Sequence, residues 1–126
     1  MYFDRVSFST ATTGTGTITA GAATTNFRTM ATAAIPDGTS VDYTIEDGAA
    51  WETGSGVTGT SATTLTRAVS QSSNANALLT LTGSAKCYIT AISSKLNALN
   101  SGTVSVVFAR IRRATNQSIA NGTTYI

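Results

Sequence analysis

The sequence predicts an all-β protein, and three observations lead to this fold class. Thr, a β-branched residue that suits a pleated and half-exposed strand, is the commonest residue with 25 positions. Charged residues make up only 11% of the 126-residue chain, well under the usual quarter. Asp-Gly and Asn-Gly turn dipeptides recur between short alternating segments. We therefore expect an antiparallel β-sandwich or a barrel-like domain.

Alternating apolar residues mark the predicted strands in chain order. The first clear strand has Val41, Tyr43 and Ile45 on one face. The same spacing recurs at Leu65 and Val69, at Leu79 and Leu81, at Cys87 and Ile89, and at Val104, Val106 and Phe108. Turns are predicted at Asp37-Gly38, Asp47-Gly48 and Asn121-Gly122, and loops at Gly54, Gly56 and Gly59 and over residues 72–76.

One segment departs from the strand period. Ile92, Leu96 and Leu99 are four and three residues apart, and Gly102 ends the run. This spacing suits a short helix or a coiled-coil-like neck. Because so short a helix is marginal alone, we expect instead a plain linker that packs two apolar residues. We therefore expect a main β domain (1–92), a short neck or linker (93–103) and a C-terminal β-strand segment (104–126).

Charge is distributed unevenly along the chain. All six acidic residues lie within residues 1–52, beside Arg5 and Arg28, and the other six basic residues follow without an acid among them. The two parts therefore carry about −4 and +6. These charges either neutralise each other inside one fold or dock an acidic end to a basic end on a partner, because complementary charge sets orientation.

Residues typical of catalytic sites are few. The chain has no histidine, which removes His-dependent triads and most catalytic zinc sites. Asp42 and Glu46 would share one strand face about 13 Å apart, too far for the paired carboxylates of a glycosidase. We expect no enzymatic activity, no cofactor and no metal. A calcium site of Asp42, Glu46 and Glu52 is the alternative.

Several residues each have an expected role and an alternative one. Arg110, Arg112 and Arg113 suit a solvated strand end better than a nucleic-acid surface, because few aromatic side chains interleave with them. Trp51, the sole tryptophan, is expected to anchor the core, with stacking on a sugar as the alternative. Cys87, the sole cysteine, is expected to be a small buried hydrophobe, with an intermolecular cross-link as the alternative.

Targeting signals are not evident in the sequence. The N-terminus lacks a basic stretch followed by an apolar one, and no apolar run approaches 18 residues. We therefore expect neither a secretory leader nor a membrane span. The single cysteine is compatible with synthesis in a reducing cytoplasm.

Three sequence blocks, taken in order, resemble a domain common in tailed-phage structural proteins. They are DRVSFSTATTGTGTIT (4–19), VDYTIEDGAAWETGSG (41–56) and TTLTRAVSQSSNA (63–75). The resemblance extends over residues 4 to about 92. It implies a virion structural protein of fibre, head-fibre or tail-associated type.

The end of the chain carries a second, weaker likeness. VVFARIRRATNQSIANGTTYI (106–126) is similar to the start of the C1q/TNF-like jelly rolls that end many phage fibres. The likeness is carried by Arg113, Gln117, Ser118, Ile119, Asn121 and Thr123. It implies that the C-terminal segment begins a fibre tip.

The resemblance implies the base or anchor of a fibre or spike, attached to the head, neck or tail of a virion. It further implies a homotrimer whose partners are other virion proteins, with neither nucleic acid nor membrane as a partner. The predicted assembly interface comprises Asp4, Arg5, Val6, Thr15, Thr17, Ile92, Leu96, Leu99, Arg110 and Arg112. The alternatives are a host-surface carbohydrate-binding module that uses Trp51 and Tyr43, and a capsid decoration protein.

The N-terminal block carries a further expectation. Its Thr and Gly residues predict an exposed β edge over residues 4–19 that pairs with neighbouring subunits through its main chain. On this hypothesis residues 1–19 could be removed without unfolding the remaining domain.

Overall fold

The computed structural model describes residues 2–99, and the predicted all-β fold class is confirmed. The chain forms two compact units, Met1–Ile92 and Ser93–Ile126. Nine strands lie in the described part of the first unit: β1 (Ser7–Thr10), β2 (Thr13–Gly14), β3 (Ile18–Thr19), β4 (Ser40–Asp47), β5 (Ala50–Gly59), β6 (Thr64–Leu65), β7 (Ala68–Ser72), β8 (Leu81–Thr82) and β9 (Ala85–Ile89).

The strands form an antiparallel sheet that curls into a half-barrel. Its order is β1-β9-β4-β5-β6-β3, with β7 also pairing with β5, and β2 and β8 form a separate pair. The longest pairing is the β4–β5 hairpin, from Ser40 opposite Val57 to Asp47 opposite Ala50. Gly48 takes a φ of +63° as the first residue of its two-residue turn, a position that favours glycine. The predicted Asp47-Gly48 turn is therefore confirmed.

The loop expected at Gly54, Gly56 and Gly59 is wrong, because β5 continues through all three residues. These glycines allow a close approach of chains rather than a change of direction. A Cβ atom at Gly54 would lie 2.2 Å from the backbone oxygen of Ala68, and one at Gly56 would lie 2.0 Å from that of Thr66. The chain that leads from β6 into β7 therefore passes directly against β5.

The N-terminal segment is not an exposed edge, so that expectation is also wrong. β1 pairs with β9 on one side. On its other side the N–H of Ser7 donates to the Arg28 carbonyl at 3.0 Å, and the N–H of Ser9 donates to the Ala22 carbonyl at 2.9 Å. Phe8 is fully buried. Removing residues 1–19 would therefore remove β1, which is bonded on both sides, and part of the core.

The core lies on the concave side of the sheet and contains the inward residues of β1, β4 and β9. Its members include Phe8, Val41, Tyr43, Ile45, Ala85, Cys87 and Ile89, together with Ile18, Met30, Leu65 and Leu81. Cys87 is the small buried residue that the sequence predicts. Trp51 is 42% exposed, so the prediction that it anchors the core is wrong. The next residue, Glu52, takes the inward position instead.

Residues 93–99 form a helix, so the helical alternative holds for this part of the predicted neck. Leu96 and Leu99 are 48% and 62% exposed. Residues 100–126 lie outside the described residues, and they include the rest of the neck, the predicted C-terminal β segment and Arg110 and Arg112. No helix within residues 2–99 is long and apolar enough to span a membrane.

Candidate functional site

An ion pair lies inside the protein, on the concave side of the sheet. The guanidinium of Arg67, in the chain between β6 and β7, donates two bonds to the Glu52 carboxylate of β5. Arg67 Nε lies 3.0 Å from Glu52 Oε1, and Arg67 Nη2 lies 2.5 Å from Glu52 Oε2. The two side chains are 1% and 0% exposed, respectively. This forked geometry is the strongest form of a carboxylate–arginine contact.

Further hydrogen bonds complete the coordination of both charges. Glu52 also accepts a bond of 2.7 Å from the Tyr43 hydroxyl and one of 2.8 Å from the Leu79 N–H. Arg67 also donates to the carbonyl oxygens of Leu79, at 2.8 Å, and of Gly14, at 3.3 Å. Within residues 2–99 no buried side-chain nitrogen or oxygen lacks a partner. Such full satisfaction is what lets two charges remain buried without a large net cost.

The network sets the protonation of its members. Burial works to raise the pKa of Glu52, but the bonds from Arg67, Leu79 and Tyr43 together lower it below its usual range. Burial and the adjacent Glu52 carboxylate raise the pKa of Tyr43. Glu52 is therefore a permanently ionised acceptor around neutral pH, without access to solvent for proton exchange with a substrate.

The network joins residues from all three blocks of the phage resemblance. Tyr43 belongs to YTIEDG, Glu52 to the following WE, and Arg67 to TTLTR, while Gly14 belongs to TGTGTIT. The strand pattern of the sequence does not predict this convergence. One available signal was the position of Arg67, two residues after Leu65, which places both side chains on the same face of an extended chain.

Two of the other acids, Asp37 and Asp47, hold loops in place. The Asp37 carboxylate accepts the N–H groups of Ser61 and Ala62 at 2.8 and 2.7 Å, where the backbone is left-handed. Asp47 accepts the N–H and the hydroxyl of Thr82, both at 2.7 Å. Within residues 2–99, Glu52–Arg67 is the only ion pair. Asp37 and Asp47 are therefore held by hydrogen bonds to loop groups rather than by ion pairs.

The three acids weighed as calcium ligands are not brought together. Asp42 and Glu46 lie on the convex face of β4, where Asp42 accepts a 2.9 Å bond from the Ser55 hydroxyl, whereas Glu52 points into the core. In the described part of the chain, no cluster of three or more acidic or cysteine residues could hold a metal ion. The calcium alternative is therefore wrong for this trio.

Cys87 is fully buried beside the same network. Burial and the nearby Glu52 carboxylate raise the pKa of its thiol. A disulfide with another molecule needs an accessible thiolate. The cross-link alternative would therefore require β9 to leave the sheet.

An open groove lies on the convex face, at the side of the sheet where β1, β9 and β4 meet. Its volume is about 350 Å³. The residues that line it are Arg5, Val6, Phe27, Thr44, Glu46, Tyr88, Ile89 and Thr90. The rings of Phe27 and Tyr88 meet edge to face with their centres 6.3 Å apart. An aromatic wall beside hydroxyls and two opposite charges can bind a polar ligand that also has an apolar surface.

The convex face continues from this groove to Trp51. Tyr88 pairs with Thr44, and Glu46 pairs with both Lys86 and Trp51, so these side chains lie in adjacent rows. At the usual strand spacing and rise, Tyr88 and Trp51 are about 12 Å apart along this face. The outward side chains of these rows are thus mostly polar, with Tyr88 and Trp51 among them.

The described members of the predicted assembly interface fall in several places. Asp4 and Arg5 are exposed, and Val6 is buried next to them. Thr15 and Thr17 are exposed between β2 and β3, while Ile92 is buried at the end of the first unit. Their role in assembly stays a prediction, as does that of Leu96 and Leu99.

The fold and the network define the main unit as an antiparallel β protein with a buried, fully bonded ion pair at its centre. No family model, curated protein or solved structure gives a significant match to the chain.

Proposed function

We propose that this chain is a non-enzymatic structural subunit of a tailed-phage virion. It serves as the base or anchor of a fibre or spike, attached to the head, neck or tail, and works through protein–protein assembly. The observation that carries the proposal is the joining of the three resembling blocks through a single buried network. Because residues of all three blocks meet in one network, the blocks belong to one folded unit, which is what a resemblance over a whole domain requires.

The physical character of the main unit suits an anchor. A network that ties β2, β4, β5 and the chain between β6 and β7 rigidifies the domain, because each bonded group limits the movement of the others. The convex face offers Trp51 and Phe27, and exposed aromatic residues are enriched in the centres of protein interfaces. A rigid body with such a surface is what assembly on a particle requires.

Particle composition tests this proposal directly. We expect mass spectrometry of purified virions from the encoding phage to contain the chain, and gold-labelled antibodies to mark one location at the base of a fibre or spike. Particles that infect normally and contain none of the chain would contradict the proposal. Labelling spread evenly over the capsid, with normal fibres, would favour a decoration protein instead.

The oligomeric state tests the trimer independently. We expect light scattering of the full chain to give three times the mass of the monomer, with Leu96 and Leu99 contributing to the contact between copies. Replacing both leucines by Ser should lower the mass to that of the monomer, whereas Asn97→Ser, on the same helix, should leave it unchanged. A monomeric wild-type chain would contradict the trimer.

A second candidate function is binding of host-surface carbohydrate, and one observation favours it. Trp51 is exposed on the convex face, where its ring can pack against a sugar. Tyr43 cannot take part, because it is buried and bonded to Glu52. We expect Trp51 fluorescence to be quenched by acrylamide in the free protein and protected by a bound host glycan. Unchanged quenching at saturating glycan would contradict a role for Trp51.

A further inference from the structure

The groove at Phe27 and Tyr88 has the composition of a site for one sugar ring. The two rings meet edge to face and give the groove an apolar side. Thr44, Thr90 and Glu46 bring two hydroxyls and a carboxylate to the lining. A volume of about 350 Å³ falls at the lower end of the range for small-ligand pockets. A sugar presents both an apolar ring face and several hydroxyls, so it matches this lining.

The guanidinium of Arg5 is held in place at one side of this groove. Arg5 Nε donates to the Asn26 carbonyl at 3.1 Å, and Arg5 Nη2 donates to the same oxygen. The guanidinium carbon lies 5.2 Å from the centre of the Phe27 ring, within the range of a cation–π contact. These contacts leave Nη1 for another acceptor. A fixed guanidinium of this kind suits a carboxylate, because less side-chain freedom is lost on binding.

The backbone at Arg5 adds a second observation. Its φ is +56°, in the left-handed region that Gly and Asn adopt more readily than other residues. An Arg in this conformation costs about 1–2 kcal/mol relative to right-handed backbone. Strained residues of this kind concentrate at functional sites. Arg5 is one of eight non-glycine residues with positive φ in the described chain, and it lines the groove.

We propose that this groove binds an acidic sugar of the uronic-acid class. The carboxylate of the sugar pairs with Arg5, its ring packs against Phe27 and Tyr88, and its hydroxyls bond to Thr44, Thr90 and Glu46. This inference rests on the second candidate function and gives that function a site and a ligand class. It does not depend on the chain being a virion subunit.

A matched pair of sugars tests the proposal on the full-length protein. D-glucuronate and D-glucose differ only in the carboxylate at C6. We expect D-glucuronate to shift the amide NMR signals of Phe27, Thr44 and Tyr88, and D-glucose to bind at least about tenfold more weakly, since a charge-assisted hydrogen bond contributes at least that factor. Equal binding of the two sugars would overturn the assignment of Arg5 to the carboxylate.

Substitutions at two arginines separate binding from folding. Arg5→Asn removes the guanidinium while keeping a residue that tolerates left-handed backbone, so the variant should fold and lose about tenfold or more in D-glucuronate affinity. Arg28→Asn is the matched control, because Arg28 bonds to the Asp4 carbonyl and does not line the groove. It removes the same charge and should change the affinity by less than about twofold.

Two further outcomes distinguish failure of this site from failure of the second candidate function. If D-glucuronate or a host glycan binds, and Trp51→Ala abolishes binding while Arg5→Asn and Tyr88→Leu do not, the groove is not the site and carbohydrate binding stands. If none of these sugars shifts any signal at about 50 mM, which is about fifty times a millimolar Kd, both the site and the second candidate function are overturned.

Discussion

The two faces of the β4–β5 hairpin use similar residues for opposite purposes. On the concave face Tyr43 and Glu52 lie in the core and are bonded to each other, with Arg67 completing the set. On the convex face the adjacent residue Trp51 is exposed and pairs across the hairpin with the exposed Glu46. An aromatic residue and a glutamate therefore occur on both sides. Strand parity and the available partners decide which pair supports the fold and which pair faces solvent.

The comparison predicts its largest effect at Arg67. Arg67→Met would leave the Glu52 carboxylate buried without its cation, and we expect the free energy of unfolding to fall by about 3–5 kcal/mol. Urea denaturation measures the change. Lys86→Met, at an exposed position, is the control and should change stability by less than about 0.5 kcal/mol. Equal losses in the two variants would contradict a special role for the buried pair.

A double variant sharpens this prediction. Combining Arg67→Met with Glu52→Leu removes both charges, so no unpaired charge stays in the core. We expect it to be more stable than Arg67→Met alone, because desolvation of a lone carboxylate is the main cost in the single variant. A double variant less stable than the single one would show that the packing of Glu52, rather than its charge, controls the result.

A smaller effect is expected at Gly56. Gly56→Ala would force a methyl group against the Thr66 backbone, and we expect a loss of about 1–3 kcal/mol in thermal or urea unfolding. Gly16→Ala is the matched control, since a Cβ atom there meets nothing within 4 Å. Stability retained in Gly56→Ala would mean that the chain between β6 and β7 lies farther from β5 than described.

Acidic pH should gradually lower the free energy of unfolding through protonation of Glu52. The pKa of Glu52 is lowered in the folded protein from an ordinary value of 4.5. The unfolded chain therefore binds this proton first as the pH falls, so the stabilisation present above about pH 5 is lost below the unfolded pKa. Urea unfolding between pH 7 and pH 3 should show this decline, and Glu52→Gln should show a shallower one. The same slope in both proteins would contradict the assignment.

The strands with uninterrupted alternation could be predicted from the sequence. Val41, Tyr43 and Ile45 mark β4, and Cys87 and Ile89 mark β9, because one face of each strand packs into the core. β5 was not predictable in this way. Gly54 and Gly56 suggest a loop when the sequence is taken alone. In the structure these two positions require glycine because the chain between β6 and β7 passes directly against the strand there.

The sites depended on tertiary contacts that local patterns do not contain. Glu52 and Arg67 are individually typical of solvent-exposed residues, and only the register of the strands brings them together in the core. Trp51 is predicted to be buried because large aromatic residues usually are. It precedes Glu52 in β5, so its side chain points to the opposite, exposed face of the strand. The groove requires Phe27, in a segment without strand pattern, to lie against Tyr88 of β9.

The same substitution on the two faces is the most direct test of this account. Glu52→Gln and Glu46→Gln each replace one carboxylate by an amide on the same hairpin. By urea unfolding at pH 7, we expect Glu52→Gln to lose about 3–5 kcal/mol because Arg67 stays buried without its anion, and Glu46→Gln to change by less than about 0.5 kcal/mol. Similar changes in the two variants, or a larger loss at Glu46, would contradict the division into a concave face that stabilises the fold and a convex face that does not.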